Sequence, residues 1–136
     1  MIENGSGGRN ALHIAAVANQ PKIASVLLMH GVNVHAVAEG GITPLCLACM
    51  CGHEEVVRVL IEEGLADPNV RDLSQCTPLH AAAVNGHLKV TRLLLEHGAD
   101  PWLTESTGWT PLNAATIKKN EKVVQALTQA MERQNA

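Results

Sequence analysis

Three cysteines and one histidine fall within eight positions of the chain: Cys46, Cys49, Cys51 and His53. Thiolates and imidazoles are the usual ligands of structural zinc, and a thiol with a lowered pKa also serves as a nucleophile or a redox centre. The cluster therefore raises two kinds of chemistry. Which of them is available depends on the elements that hold the four side chains, because metal ligands must converge on one ion.

Composition narrows the functions open to the chain. A sequence of 136 residues is long enough to bury a core without a metal or a disulfide. Aromatic residues make up 1% of it, the formal charge is −3 and the longest basic run is Lys118-Lys119, so we expect no nucleic-acid partner. The first residues, MIENGSGGRN, lack the charged and apolar regions typical of a signal peptide, and no run of about 18 apolar residues occurs. We therefore expect no membrane insertion, a reducing cytoplasmic or nuclear location, and four free thiols.

The chain contains four copies of one sequence unit. They begin as NALHIAAVANQ at Asn10, TPLCLACMCGH at Thr43, TPLHAAAVNGH at Thr77 and TPLNAATIKKN at Thr110, with offsets of 33, 34 and 33 residues. The extra residue falls after Gly64, where EEGLADPN stands against EHGADPW. A period in this range predicts an array of stacked units.

The first half of each unit carries the signals of a short helix. Asn10 and the three threonines are N-cap residues, and a proline follows each threonine at the first helical position. Gly52 and Gly86 are predicted to end the helix in a left-handed conformation. Asn19 suits the same role in the first unit, whereas Lys119 fits it poorly in the fourth.

The second half of each unit predicts a second helix. It ends at Gly31, Gly64 and Gly98 in the first three units. Two apolar columns four residues apart are predicted to face the first helices. These columns are Ile23, Val56, Val90 and Val123, and Leu27, Leu60, Leu94 and Leu127.

These features resemble the ankyrin-repeat family. The signature reads TPLHAAA at Thr77 and continues as GHLKVTRLLLEHGADP, with degraded versions in the other three units. The resemblance implies an all-α solenoid of stacked antiparallel helix pairs with hairpin-like fingers. We expect a flexible segment over 1–7 and one repeat domain over 8–136, with units at about 8–40, 41–74, 75–107 and 108–136. Polar substitutions in the last unit, such as Thr128, are typical of a terminal cap.

Alignment of the units argues against both chemistries of the cysteine cluster. Cys46 and Cys49 occupy columns of buried small residues, whereas Cys51 points roughly 140° to 160° away from either on the helix. We therefore expect two packing thiols, one exposed thiol and neither a metal nor a cofactor. Two narrower hypotheses stay open: an enzyme that uses Cys51, and a regulatory disulfide between Cys51 and Cys76. With no catalytic motif in the chain, we expect no enzyme.

The resemblance also implies roles for particular residues. In the family, the signature histidines, here His13 and His80, bond to neighbouring turns, and partners bind a concave face made of fingers and first helices. The chain is therefore expected to be an interaction module, monomeric by itself, that binds a protein or peptide and has no catalysis, with Trp109 as the main anchor. The alternative is a non-catalytic recognition or regulatory domain of a larger enzyme, channel or ligase. The expected contact residues are Arg9, Ile42, Met50, Cys51, Arg71, Leu73, Val84, Asn85, Trp109, Ile117 and Lys118.

Overall fold

Eight helices in four antiparallel pairs make up the computed structural model, which describes residues 8–135, with side chains through 134. The first helices of the pairs are α1 (Ala11–Val17), α3 (Pro44–Cys51), α5 (Pro78–Val84) and α7 (Pro111–Ile117). The second helices are α2 (Pro21–Met29), α4 (Glu54–Glu62), α6 (Leu88–Glu96) and α8 (Glu121–Asn135). The segment 1–7, expected to be flexible, lies outside the described residues.

The helices form two rows. Successive first helices pack side by side in the order α1, α3, α5, α7, and the second helices follow in the order α2, α4, α6, α8. Fingers join the pairs, and within residues 8–135 their only β-pairing is an isolated bridge between Ala38 and Ile42. The expected all-α repeat solenoid is confirmed.

All four predicted N-caps are confirmed. The side-chain oxygens of Asn10, Thr43, Thr77 and Thr110 each accept a hydrogen bond from the backbone N–H three residues later. In the first, third and fourth units that third residue returns a bond, because its side chain accepts from the backbone N–H of the cap. The second unit has Cys46 there, and its side chain closes no such capping box.

Each first helix gives way to its turn through a left-handed residue. Gly52 and Gly86 have φ values of 76° and 73°, and Asn19 takes φ 55° in the first unit, as predicted. Lys119 also adopts φ 60°. The turn therefore forces even an unsuitable residue into the left-handed region, because the next helix must return antiparallel.

The first three second helices end two residues before the predicted glycines, at Met29, Glu62 and Glu96, but the chain reverses differently in the second unit. Gly31 and Gly98 have φ values of 82° and 94°, but in the second unit the left-handed residue is Leu65, with φ 57°. The inserted residue moves the reversal one position along the chain. Gly64 is nevertheless crowded, since an added Cβ would lie 2.8 Å from the Leu60 carbonyl oxygen.

Replacing Leu65 with glycine should raise the free energy of unfolding by about 1 kcal/mol, because the left-handed region is strained for leucine and free for glycine. The side chain is 77% exposed, so little burial is lost. Urea denaturation measures the change. Leu73 is as exposed and has no positive φ, so Leu73→Gly is the matched control and should give no gain. A loss of stability in Leu65→Gly would contradict the strain argument.

The apolar columns of the second helices form the core, with one exception. Leu60, Leu94 and Leu127 are fully buried. In the first unit, however, Leu27 is only partly buried and Ile23 is 52% exposed, so the prediction that Ile23 faces the core is wrong. The equivalent residues Val56, Val90 and Val123 are buried in units that have a preceding helix pair, whereas no helix pair precedes the first unit in the described residues.

Buried histidines connect one unit to the next. In His80 the Nδ1 atom accepts from the Thr77 N–H at 3.1 Å, so the proton resides on Nε2, which donates to the Trp109 carbonyl at 2.8 Å. His13 repeats the arrangement with Asn10 and with the Ile42 carbonyl, also at 2.8 Å. The predicted bonds from the signature histidines to neighbouring turns are confirmed.

A second set of bonds runs in the opposite direction along the stack. His53 Nε2 donates to the Val17 carbonyl at 3.2 Å, and His87 Nε2 donates to the Met50 carbonyl at 2.9 Å. In the fourth unit the Asn120 amide does the same to Ala83 at 3.2 Å. In units two to four, the turn between the two helices therefore hydrogen-bonds to the C-terminal end of the first helix of the preceding unit.

Stability is expected to fall as the pH drops through the range in which histidine titrates. Burial lowers the pKa of His13 and His80 below 6.5, although the bonds to Ile42 and Trp109 partly offset it. The folded state therefore resists protonation, so the contribution is complete above pH 6.5 and is lost as the pH falls through the lowered pKa. Each histidine contributes a slope of up to about 1.4 kcal/mol per pH unit.

Chemical denaturation between pH 7.5 and 5 measures this slope. The double variant His13→Asn/His80→Asn keeps a capping side chain of the kind that Asn113 provides in the fourth unit, but it does not titrate. Its profile should be flatter than that of the unmodified chain. Two superimposable profiles would show that the buried imidazoles are not responsible.

Candidate functional site

The cysteine cluster is divided by the helix that carries it. Cys46 and Cys49 are buried and Cys51 is exposed, as predicted. Burial raises the pKa of Cys46, and it raises that of Cys49 well above the usual value. Thiols held in the protonated form are poor nucleophiles and poor metal ligands. Among the described residues, no three His, Cys, Asp or Glu side chains are grouped to hold a metal ion.

The candidate site is instead a groove of about 440 Å³ that crosses three units. Seven of the eleven predicted contact residues line it. They are Ile42, Met50, Val84, Asn85, Trp109, Ile117 and Lys118. The structure therefore brings together side chains that lie up to 76 residues apart in the sequence, between 42 and 118.

The repeat geometry explains why these residues meet. Met50, Val84 and Ile117 stand at or next to the C-terminal residue of α3, α5 and α7. Because those helices pack side by side, equivalent positions fall in a row. Ile42 and Trp109 immediately precede the N-caps Thr43 and Thr110, and so form the finger side of the same groove. The groove therefore has an apolar lining, with the fingers along one side and the C-terminal ends of the first helices along the other.

Trp109 has a fixed backbone. Its carbonyl accepts from His80 Nε2 and from the Glu105 N–H, and its own N–H donates to Glu105 Oε1 at 2.9 Å. The side chain remains 43% exposed over the groove. An aromatic group on a fixed backbone loses little conformational freedom when it binds, so it is suited to be an anchor.

Two acidic residues of the groove were missed by the sequence prediction. Hydrogen bonds from Thr107 and then from the Trp109 N–H lower the pKa of Glu105. Asp72 occupies the same place in the preceding finger, where its Oδ1 accepts from the N–H groups of Ser74 and Cys76. The sequence did carry a signal for both acids, because they stand at equivalent positions of two units: Asp72 lies five residues before the N-cap Thr77, and Glu105 lies five residues before the N-cap Thr110. The finger edge is therefore acidic, while Lys118 lies among the helix-side residues.

The other four predicted contact residues do not line this groove. Arg71 and Leu73 belong to the finger between α4 and α5, where the Arg71 guanidinium donates to Gln75 Oε1 at 3.2 Å. Cys51 is the last residue of α3 and points elsewhere than its neighbour Met50. Arg9 precedes the first N-cap, one unit before Ile42. Any part they play in binding stays a prediction.

Comparison with known proteins identifies the repeat. A family model described as ankyrin repeats, in three copies, matches residues 12–105 and again residues 65–136. The chain is 38% identical over 112 residues to mouse ankyrin repeat and SOCS box protein 16, covering 76% of this chain and 24% of that protein.

Other similar proteins are of diverse kinds. Human transient receptor potential cation channel subfamily A member 1 is 33% identical, over 86% of this chain and 10% of its own length. The Arabidopsis thaliana E3 ubiquitin-protein ligase XBAT33 is 39% identical, over 61% and 16%. The chain thus spans a quarter or less of the length of these relatives. Across residues 8–135, no helix has the length and apolar character needed to cross a membrane.

Proposed function

Since the chain belongs to the ankyrin-repeat family, whose repeats are generally protein-interaction modules, we propose that it binds a segment of a partner protein in the groove between its fingers and first helices. The module has no catalysis of its own. Its role is to hold the partner against a rigid surface, with Trp109 as the main anchor.

The observation that carries this proposal is the set of exposed apolar side chains gathered along one open groove. Met50 is 42% exposed, Trp109 43% and Ile117 61%, and all three border the same space. Apolar side chains gathered in one exposed patch usually mark a contact site. Tryptophan is also enriched among the residues that contribute most to binding.

We propose further that residues 8–136 form one recognition domain. The alternative is that this domain is a non-catalytic recognition or regulatory part of a larger enzyme, channel or ligase. The similarity to parts of much longer proteins favours this alternative. A cytoplasmic or nuclear location, and a monomeric state in the absence of the partner, complete the proposal. The exposed Cys51 thiol suits a reducing compartment.

Trp109→Ala is expected to weaken binding at least tenfold, because truncation of a central aromatic anchor commonly costs about 2 kcal/mol or more. Peptides selected by the unmodified chain from a displayed random library serve as ligands, and calorimetry gives Kd for each variant. Met50→Ala should weaken the same peptides by a smaller factor.

The chain offers a matched control in its second tryptophan. Trp102 is 45% exposed, close to Trp109, but it does not line the groove. Trp102→Ala should leave Kd unchanged. Binding that survives both Trp109→Ala and Met50→Ala, or that is lost equally in Trp102→Ala, would show that the groove is not the binding site.

A further inference from the structure

Two carboxylates stand on the finger side of the groove, beside the exposed ring of Trp109. Asp72 and Glu105 both line the groove and hold equivalent positions in successive fingers. The backbone N–H of each donates to the carbonyl of the residue before the next N-cap, at 3.0 and 2.9 Å. Burial raises the pKa of the Cys76 thiol, and the negative charges of Asp72 and Glu105 raise it further. Both carboxylates are therefore near the same side chain, and two fingers direct negative charge at one part of the groove.

Each of these carboxylates is fixed through one of its oxygens. Asp72 Oδ1 accepts hydrogen bonds from two backbone N–H groups of its own finger, at 2.8 and 3.0 Å. Glu105 Oε1 accepts from the N–H groups of Thr107 and Trp109, at 2.8 and 2.9 Å, and from the Thr107 hydroxyl. Among the hydrogen bonds of the described residues, none reaches Asp72 Oδ2 or Glu105 Oε2. The position of each carboxylate is thus set in advance, while its second oxygen is open to a donor from a ligand.

The charge of the finger side is not balanced by ion pairs. Those found among the described residues all involve carboxylates of α4, outside the groove. The Arg71 guanidinium donates to Gln75 Oε1, and Lys118 follows α7 on the helix side of the groove. Hydrogen bonding, first from Thr107, lowers the pKa of Glu105, so its carboxylate is ionised at neutral pH. The groove therefore combines an apolar lining with negative charge on one side.

This combination restricts the chemistry of what the groove binds. A purely apolar segment would cover the carboxylates and remove their water without supplying a donor, and a buried charge is costly unless it is paired and hydrogen-bonded. A cationic side chain supplies that donor. Arginine suits the place best, because its planar guanidinium carries five N–H donors and stacks on aromatic rings such as that of Trp109, whereas lysine offers a compact point charge.

We propose that the partner segment bound in the groove carries an arginine between apolar residues. The inference rests on the function proposed above and adds the chemistry of the partner. The guanidinium bonds to the second oxygens of Asp72 and Glu105 and lies against the indole of Trp109. The apolar neighbours of the arginine contact the row of side chains at the C-terminal ends of the first helices. Lys118 disfavours the reverse placement, because it would face the guanidinium, so the segment has one orientation across the groove.

Selection from random peptides displayed on phage tests the composition of the segment. Peptides that bind the unmodified chain should be enriched in arginine next to apolar residues, and calorimetry with Trp109→Ala shows whether each one occupies the groove. Peptides that lose affinity in Trp109→Ala but contain no basic residue would overturn the inference and leave the proposed function standing. A library that yields no binder, or only binders indifferent to Trp109→Ala, would contradict the proposed function itself.

A double substitution tests the contact with the carboxylates. Asp72→Asn/Glu105→Gln removes both charges, but its amide oxygens still accept from the backbone N–H groups of the two fingers. The variant should weaken a selected arginine peptide by roughly tenfold or more, because two charge-assisted bonds are lost. The same peptide with norleucine in place of arginine should bind the variant and the unmodified chain alike. Equal weakening of both peptides would show that the groove itself was damaged, and would overturn the contact.

The fingers offer a matched control for this variant. Asp67 and Asp100 each accept a hydrogen bond from the backbone N–H two residues later, at 2.9 Å, but neither lines the groove. Asp67→Asn/Asp100→Asn therefore changes the net charge by the same amount in the same kind of turn. It should leave the Kd of the arginine peptide unchanged. A loss equal to that of Asp72→Asn/Glu105→Gln would mean that the peptide responds to the overall charge of the chain, and would refute the assigned position of the arginine.

Discussion

Replacing His80 with alanine is expected to lower the free energy of unfolding by about 3 kcal/mol. The substitution removes two hydrogen bonds of a buried side chain, one from the Thr77 N–H and one to the Trp109 carbonyl. Each is worth about 1 kcal/mol, and the remainder is the loss of packing around a ring that is only 4% exposed. Urea denaturation at pH 7.5, where the ring is neutral, measures the effect.

The fourth unit supplies the control for this prediction. Asn113 occupies the same column and closes the same capping box with Thr110, but it is exposed and no further unit follows it in the described stack. Asn113→Ala should therefore cost only about 1 kcal/mol, the value of the cap. Equal losses in the two variants would mean that the bond from His80 to the next finger contributes nothing.

Introducing a histidine at Cys46 tests the same bond by adding it where it is missing. Cys46 occupies the position that His13 and His80 hold in the first and third units. The carbonyl that a histidine there would reach is that of Cys76, which precedes the N-cap Thr77. Among the hydrogen bonds of the described residues, this carbonyl accepts only the Asp72 N–H. In the first and third units the equivalent carbonyl accepts a backbone N–H and a histidine together. Cys46→His should restore both histidine bonds and stabilise the chain by about 1 kcal/mol. A loss of stability would show that the second unit has no room for the ring.

Local signals in the sequence predict most of the fold because each acts over a few residues. An N-cap residue acts on the helix that follows it directly, and in three of the four units it is a threonine followed by proline, so the four first helices could be placed without knowledge of the stack. Left-handed glycines act over an equally short range. The reversal at Leu65 is the exception, because it depends on packing: a Cβ added at Gly64 would lie 3.0 Å from the Val34 side chain and 3.1 Å from the Leu28 side chain of the first unit.

Features that depend on neighbouring units were harder to predict. Ile23 has the sequence pattern of a core residue, yet it is 52% exposed, because the burial of a column depends on the neighbouring units and not on its own helix alone. Asp72 and Glu105 resemble ordinary turn residues, and only the stacking of the fingers places both carboxylates on one groove. The row formed by Met50, Val84 and Ile117 was predictable, because residues at equivalent positions of successive repeats lie next to one another in the stack.

Replacing Gly52 with alanine should also cost about 3 kcal/mol, for two separable reasons. Its φ of 76° lies in the left-handed region, which costs an alanine about 1 kcal/mol or more. An added Cβ would in addition lie 2.6 Å from His87 Nδ1, so the ring must move. That movement stretches or breaks the bond from His87 Nε2 to the Met50 carbonyl and so loosens the joint between the second and third units.

Gly98→Ala isolates the backbone cost from the steric one. Gly98 has φ 94°, and an added Cβ there would meet no atom within 4 Å, so the variant should lose only about 1 kcal/mol. The excess in Gly52→Ala measures the contact with His87. Combining Gly52→Ala with His87→Ala should then cost less than the sum of the single changes, because the smaller side chain removes the clash. Strict additivity of the two substitutions would show that the glycine is required for its conformation alone.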